Sequence, residues 1–211
     1  MWKNIIVAIA YFLTAILSDH FTTYPETGST PIWIAGGVGV GLLYIWGDAL
    51  WLGLLMGILI AEIYIYSPWL GINETILTVT ITAISTLGKL FAVYLMKLSD
   101  ANSQLFSRVK STIKFSVYGC FLSHLPVAIL CALMICLLEK ASWELYIDIA
   151  FTWWLSDAFG ILIVAPLIIV WCYSINGFLL KVKTHYLTTI TITALTIVTV
   201  SYTHLTLPTK A

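Results

Sequence analysis

Seven apolar stretches follow one another along this chain with only short polar interruptions between them, and few folds are open to a chain built that way. They cover residues 4–18, 32–46, 49–66, 75–96, 113–138, 143–173 and 186–202. A helix that crosses a bilayer needs about 20 predominantly apolar residues. Within the hydrocarbon only helices and closed barrels satisfy every backbone donor and acceptor. The expected fold is therefore all-α, a polytopic transmembrane helix bundle of about seven spans. The first two stretches are short, and the sixth is long enough to tilt or to begin outside the hydrocarbon. Stretch 186–202 is rich in threonine and β-branched residues, yet an isolated strand cannot satisfy its backbone in lipid, so a helix is expected there too. Its threonines can return hydrogen bonds to the preceding turn.

Composition supports this reading and removes others. Charged residues make up 9% of 211 and hydrophobic residues 60%, whereas a soluble domain carries roughly 25% charged residues. The formal net charge of zero gives no basis for a nucleic-acid partner. Cys120, Cys131, Cys136 and Cys172 lie inside apolar runs without CxxC spacing, so they read as small packing residues. Lys3 precedes an apolar run that ends at Ser18-Asp19-His20 without a small-x-small cleavage site, which favours an uncleaved anchor over a signal peptide.

The loops set orientation. Lys97, Arg108, Lys110 and Lys114 cluster around the fourth connection, Lys181 and Lys183 follow the sixth span, and Lys3 precedes the first. Asp19, Glu26 and Glu74 occupy the opposite side, with Lys140 against the trend. The positive-inside rule then places the N-terminus in the cytoplasm. Seven spans from that start would leave the C-terminus outside.

Two glycine stripes lie in the second and third spans. Gly37 and Gly41 share one helical face; Gly53, Gly57 and Ala61 form another at i, i+4 spacing. Small residues at that spacing let helix backbones approach in lipid. The turn at Gly47-Asp48 is expected to make the two helices an antiparallel hairpin. Trp33, Trp46, Trp51 and Trp69 fall near span ends, where interfacial anchoring accounts for them.

Ionisable groups inside spans cost about 2.5–3.5 kcal/mol near a helix centre. Counting about 1.5 Å per residue puts Lys89 and His124 roughly 20 Å below the outer face and Asp157 about 12–20 Å below it. Glu62 and Asp148 come out within about two turns of that face, which makes Glu62 a poor depth match for Lys89. Snorkelling of Lys89 towards the cytoplasm works against the lean of helical side chains towards the N-terminus. A buried Lys89–Asp157 ion pair follows, either fixing helix register or serving a switch. His124, two residues before Pro126, is expected to bond a backbone group freed by the proline.

The most distinctive string runs Trp153-Trp154-Leu155-Ser156-Asp157-Ala158-Phe159-Gly160, then Pro166. Trp153 and Trp154 precede Asp157 by four and three residues, so both indoles are expected to flank its carboxylate. Gly160 sits a turn further on, and Pro166 removes a donor and bends the helix. This string resembles the W-W-x-x-D-x-x-G-x-x-x-x-x-P motif of the MASE1 membrane-associated sensor domains. Trp33, Gly37, Gly47, Trp51, Gly53 and Gly57 resemble that family's W-x-x-x-G…G…W-x-G-x-x-x-G stretch. Ile34 and Ala35 stand where members often have prolines.

The resemblance spans residues 1–200. It implies about eight spans joined to a cytoplasmic histidine kinase, diguanylate cyclase or phosphodiesterase domain, and hence a homodimer through that output. An eighth span would return the chain to the cytoplasm. Residues 201–211 look like translated adaptor sequence, and the native chain is expected to differ from about residue 200. The functional expectation is a bacterial inner-membrane sensory input domain, in contact with lipid and with a membrane partner protein or small-molecule signal. No catalysis, cofactor or metal is expected of it: G-x-x-x-x-G-K-[ST], H-E-x-x-H and G-x-S-x-G are all missing. Trp153, Trp154, Asp157, Gly160, Pro166, Lys89 and His124 are the candidate sensing or switching residues. The alternative is a transporter or substrate-binding membrane subunit, since midplane polar residues and glycine-rich helices serve transporters as well.

Overall fold

The structure, a computed structural model, describes residues 2–22, 30–66, 71–98, 106 and 109–173. Stretch 186–202, the segment 201–211, Glu26, Trp69, Arg108, Lys181 and Lys183 lie outside the described residues. The chain divides into two compact units, Met1–Val170 and Trp171–Ala211, and the packing below belongs to the first.

Every regular element among the described residues is helical. In chain order these are α1 (Trp2–Thr22), α2 (Ile34–Trp46), α3 (Trp51–Tyr66) and α4 (Ile72–Leu98). There follow α5 (Val109–Lys114), a π-helical segment (Phe115–Leu122), α6 (Ser123–Leu137) and α7 (Tyr146–Tyr173). One-turn 3-10 helices at Asp48–Leu50 and Trp143–Leu145 lead into α3 and α7. Among the described residues, five stretches are long and apolar enough to cross a membrane: Trp2–His20, Asp48–Ile65, Ile72–Leu98, Val109–Leu137 and Trp143–Cys172. This is a multi-pass membrane protein. The second stretch forms the 13-residue α2, about 20 Å long and too short to span alone.

The burial pattern is that of a fold surrounded by lipid. On α4 the residues turned outward include Ile76, Val79, Leu87, Phe91 and Tyr94. Those turned inward include Thr78, Thr82, Ser85, Thr86 and Lys89. In hydrocarbon the outward face has to be apolar, and polar side chains must find partners within the bundle. Thr86 does so locally, its hydroxyl donating to the Thr82 carbonyl at 2.7 Å.

The glycine stripes bring helices together, but not with each other. Gly53 and Gly57 lie against Asn4 and Ala8, so α3 packs in parallel register on α1. Asn4 Oδ1 also accepts the Gly53 N–H at 3.0 Å, serving a first-turn donor that has no partner within its own helix. Gly37 and Gly41 face α7 instead, meeting Gly160, Val164, Ala165 and Ile168. The expected α2–α3 hairpin therefore exists in sequence order, while its two stripes serve two other helices. A Cβ on Gly57 already lies 2.8 Å from the Ala8 carbonyl oxygen and 2.9 Å from its Cα. Gly57→Leu should accordingly separate α1 from α3 and cost about 1–3 kcal/mol. Unchanged resistance to SDS-induced unfolding would show that this stripe carries no packing.

Ion pairs mark the two ends of the bundle. Lys97 at the end of α4 bonds Asp48 between α2 and α3, with Lys3 within 5.6 Å of the Trp46 ring. At the other end Lys140, the basic residue that ran against the charge trend, bonds Glu74 at the start of α4. Its charge is balanced where it stands.

Candidate functional site

α2 begins inside the bundle. Residues 35–43 are all buried, so its first turn cannot turn to water for the donors that every helix start leaves free. Neighbouring helices supply acceptors. Ser18 Oγ on α1 accepts the Ile34 N–H at 3.0 Å, and the Ser156 carbonyl on α7 accepts the Trp33 N–H at 3.0 Å. Trp33 Nε1 also donates to the Tyr11 hydroxyl at 3.2 Å. Interfacial anchoring does not describe Trp33; it is the hub at which α1, α2 and α7 meet.

Asp157 lies one residue beyond that backbone link. A Cβ on Gly36 would be 2.5 Å from Asp157 Oδ1, which places the carboxylate on the first turn of α2. That turn is the positive end of the helix macrodipole and favours an anion. Lys89 approaches too, with Nζ 3.6 Å from Oδ1; the side chains are 1% and 15% exposed. At 3.6 Å the contact is Coulombic rather than a hydrogen bond, and Oδ1 has no hydrogen-bond partner among the described residues. The ion pair read from the sequence is present, with a helix N-terminus beside it.

The pair borders a cavity of about 90 Å³ that Tyr11, Asp19, Trp33, Glu62, Trp153 and Ser156 also line. These residues come from the middle and end of α1, the start of α2, the end of α3 and the first half of α7. The cavity therefore lies towards the end of the bundle opposite the Lys97–Asp48 pair. Glu62 belongs to this site, which corrects its separation from Lys89 by depth. Residue counting compares Cα positions, whereas a long lysine side chain leans towards the N-terminus of its helix, and Lys89 and Glu62 line the same cavity.

Trp153 and Trp154 part company. Trp153 lines the cavity, but Trp154 donates through Nε1 to the Phe121 carbonyl at 2.8 Å and packs edge-on to the Phe121 ring at 5.8 Å. Helix spacing lets residues three and four positions before Asp157 stand on either side of it, but here Trp153 faces the cavity and Trp154 faces the π-helical segment. Trp154 instead ties α7 to the π-helical segment. That segment ends at Leu122, whose carbonyl would normally receive the N–H that Pro126 lacks. A π turn is one way a helix absorbs such a defect.

His124 is fully buried but does not line the cavity. Its ring has a backbone hydrogen-bond partner in Cys120, and its Nδ1 lies 2.8 Å from Ser123 Oγ. The Ser123 hydroxyl also lies 2.8 Å from the Gly119 carbonyl, to which it can donate. Nε2 is left without a partner among the described residues. Gly160 presses on the Trp33 carbonyl. α7 continues as helix through Pro166.

Sequence reasoning missed Tyr11 and Ser18. Val7, Tyr11, Ala15 and Ser18 form the buried stripe of α1 at spacings of four, four and three. That periodicity was available, although the partners of the two polar members were not.

A family model described as MASE1 matches residues 2–207. No curated protein and no solved structure matches the chain.

Proposed function

The chain belongs to the MASE1 family of membrane-associated sensor domains, and from that premise we propose that it is a bacterial inner-membrane sensory input domain. In this reading the cavity beside Lys89 and Asp157 receives the signal, and a cytoplasmic output domain reads the resulting shift in helix packing. The observation that supports it most is the place of the ion pair. Asp157 is held between Lys89 on α4 and the first turn of α2, while α7 itself is hydrogen-bonded to Trp33. Any ligand or partner that draws on one of these charges changes the balance among three helices, as a two-state switch requires.

Orientation follows the basic residues. Lys3, Lys97, Lys110 and Lys114 belong to the start of α1, the end of α4 and α5, and the positive-inside rule puts that end, with the N-terminus, in the cytoplasm. The cavity then faces the outer side. The test joins the chain in frame to a cytoplasmic kinase or diguanylate cyclase reporter. Asp157→Asn should move reporter output at unchanged membrane level. If no cavity variant changes output, or if the chain accumulates solute in sealed vesicles, the sensory reading fails.

A further inference from the structure

We propose that the cavity beside the Lys89–Asp157 pair binds a small organic ammonium ion, with Glu62 as the counter-charge that receives it. This deepens the sensory reading of the same cavity and rests on it.

Charge is the first argument. Lys89 and Asp157 compensate each other, and Asp157 also has the first turn of α2. Glu62 is only 6% exposed, lines the cavity, and has neither a hydrogen bond nor an ion pair among the described residues. A buried carboxylate in a membrane protein is costly unless paired. The cavity lining thus sets the carboxylates of Glu62, which is buried, and Asp157, which is 15% exposed, against the one ammonium of Lys89. The missing element is a positive charge.

Chemistry narrows that charge. Glu62 can only accept hydrogen bonds when ionised, and Asp157 Oδ1 also lacks a donor. A ligand with several N–H groups suits such a lining better than one with acceptors. Trp33, Trp153 and Tyr11 give the same cavity an aromatic wall, which favours an alkylammonium over a fully hydrated metal ion. The volume of about 90 Å³ admits several waters or a ligand of a few non-hydrogen atoms.

Ethylammonium chloride is the probe, titrated at fixed pH and ionic strength into the full chain in lipid nanodiscs. Tryptophan emission reports binding, because Trp33 and Trp153 line the cavity. A saturable change is expected with ethylammonium and none with ethanol or sodium chloride. Glu62→Gln should weaken binding by about tenfold or more, the loss of one charge-assisted contact, while Glu62→Asp should retain most of it. Should Glu62→Gln not fold, ethylammonium must still raise the thermal stability of the wild type and of Glu62→Asp where ethanol does not. Equal affinity in Glu62→Gln, or equal effects of ethanol or sodium, would overturn the proposal. So would preference for acetate or glycine, or a full response to acid alone, which would make the missing charge a proton. Binding is read without an output domain, so its failure removes the ligand and leaves the reporter test of signalling intact.

Discussion

Adding one methyl group at Gly160 is expected to destabilise the bundle by about 3 kcal/mol, at the upper end of what overpacking usually costs. The new Cβ would fall on the Trp33 carbonyl, 2.6 Å from its carbon and closer still to its oxygen. Both partners are backbone, so no rotamer change relieves the clash. The helices must part, and the Trp33 N–H bond to the Ser156 carbonyl is strained with them. Gly37→Ala should behave in the same way, since its Cβ meets the Gly160 carbonyl and Val164. Gly36→Ala should not. Its Cβ meets the end of the Asp157 side chain, which can rotate aside at the expense of its place on the α2 first turn. Unfolding in SDS, followed by tryptophan emission, measures all three. Equal losses for Gly36→Ala and Gly160→Ala would show that backbone contact is not what limits this interface.

Asp157→Ala should be as damaging for a different reason. Lys89 is 1% exposed, and removing its partner leaves an uncompensated buried charge, at a cost of about 3–5 kcal/mol. Replacing both residues with apolar ones should cost far less than the sum of the single changes, because neither charge then remains to be solvated. Exchanging the charges should recover only part of the loss. A lysine at 157 would bring a positive charge to the positive end of α2, where the carboxylate is now favoured. The measurement is a double-mutant cycle on unfolding free energy. Additive single and double changes would mean that Lys89 and Asp157 do not act as a pair.

Residue pattern alone determined the solvent of this protein, its helical class and the identity of its central ion pair. Apolar runs of bilayer length leave the backbone no other way to satisfy itself, and two opposite charges in such runs have little choice but to meet. Helix spacing also made the glycine stripes legible. Their partners were not, because an i, i+4 stripe specifies which face packs closely and says nothing about which helix lies opposite. Only the tertiary structure put Gly53 and Gly57 on α1 and Gly37 on α7. Only it showed that α2 starts within the bundle, which gives Ser18, Trp33 and Ser156 their roles at the helix start and Asp157 its second source of positive charge. The same limit governed Glu62 and Trp154. Depth along one helix can be counted from residues, but the direction in which a side chain points, and the neighbour it meets, depend on how helices rotate and tilt against each other. Those angles are set by packing between segments far apart in the chain, where no local pattern records them.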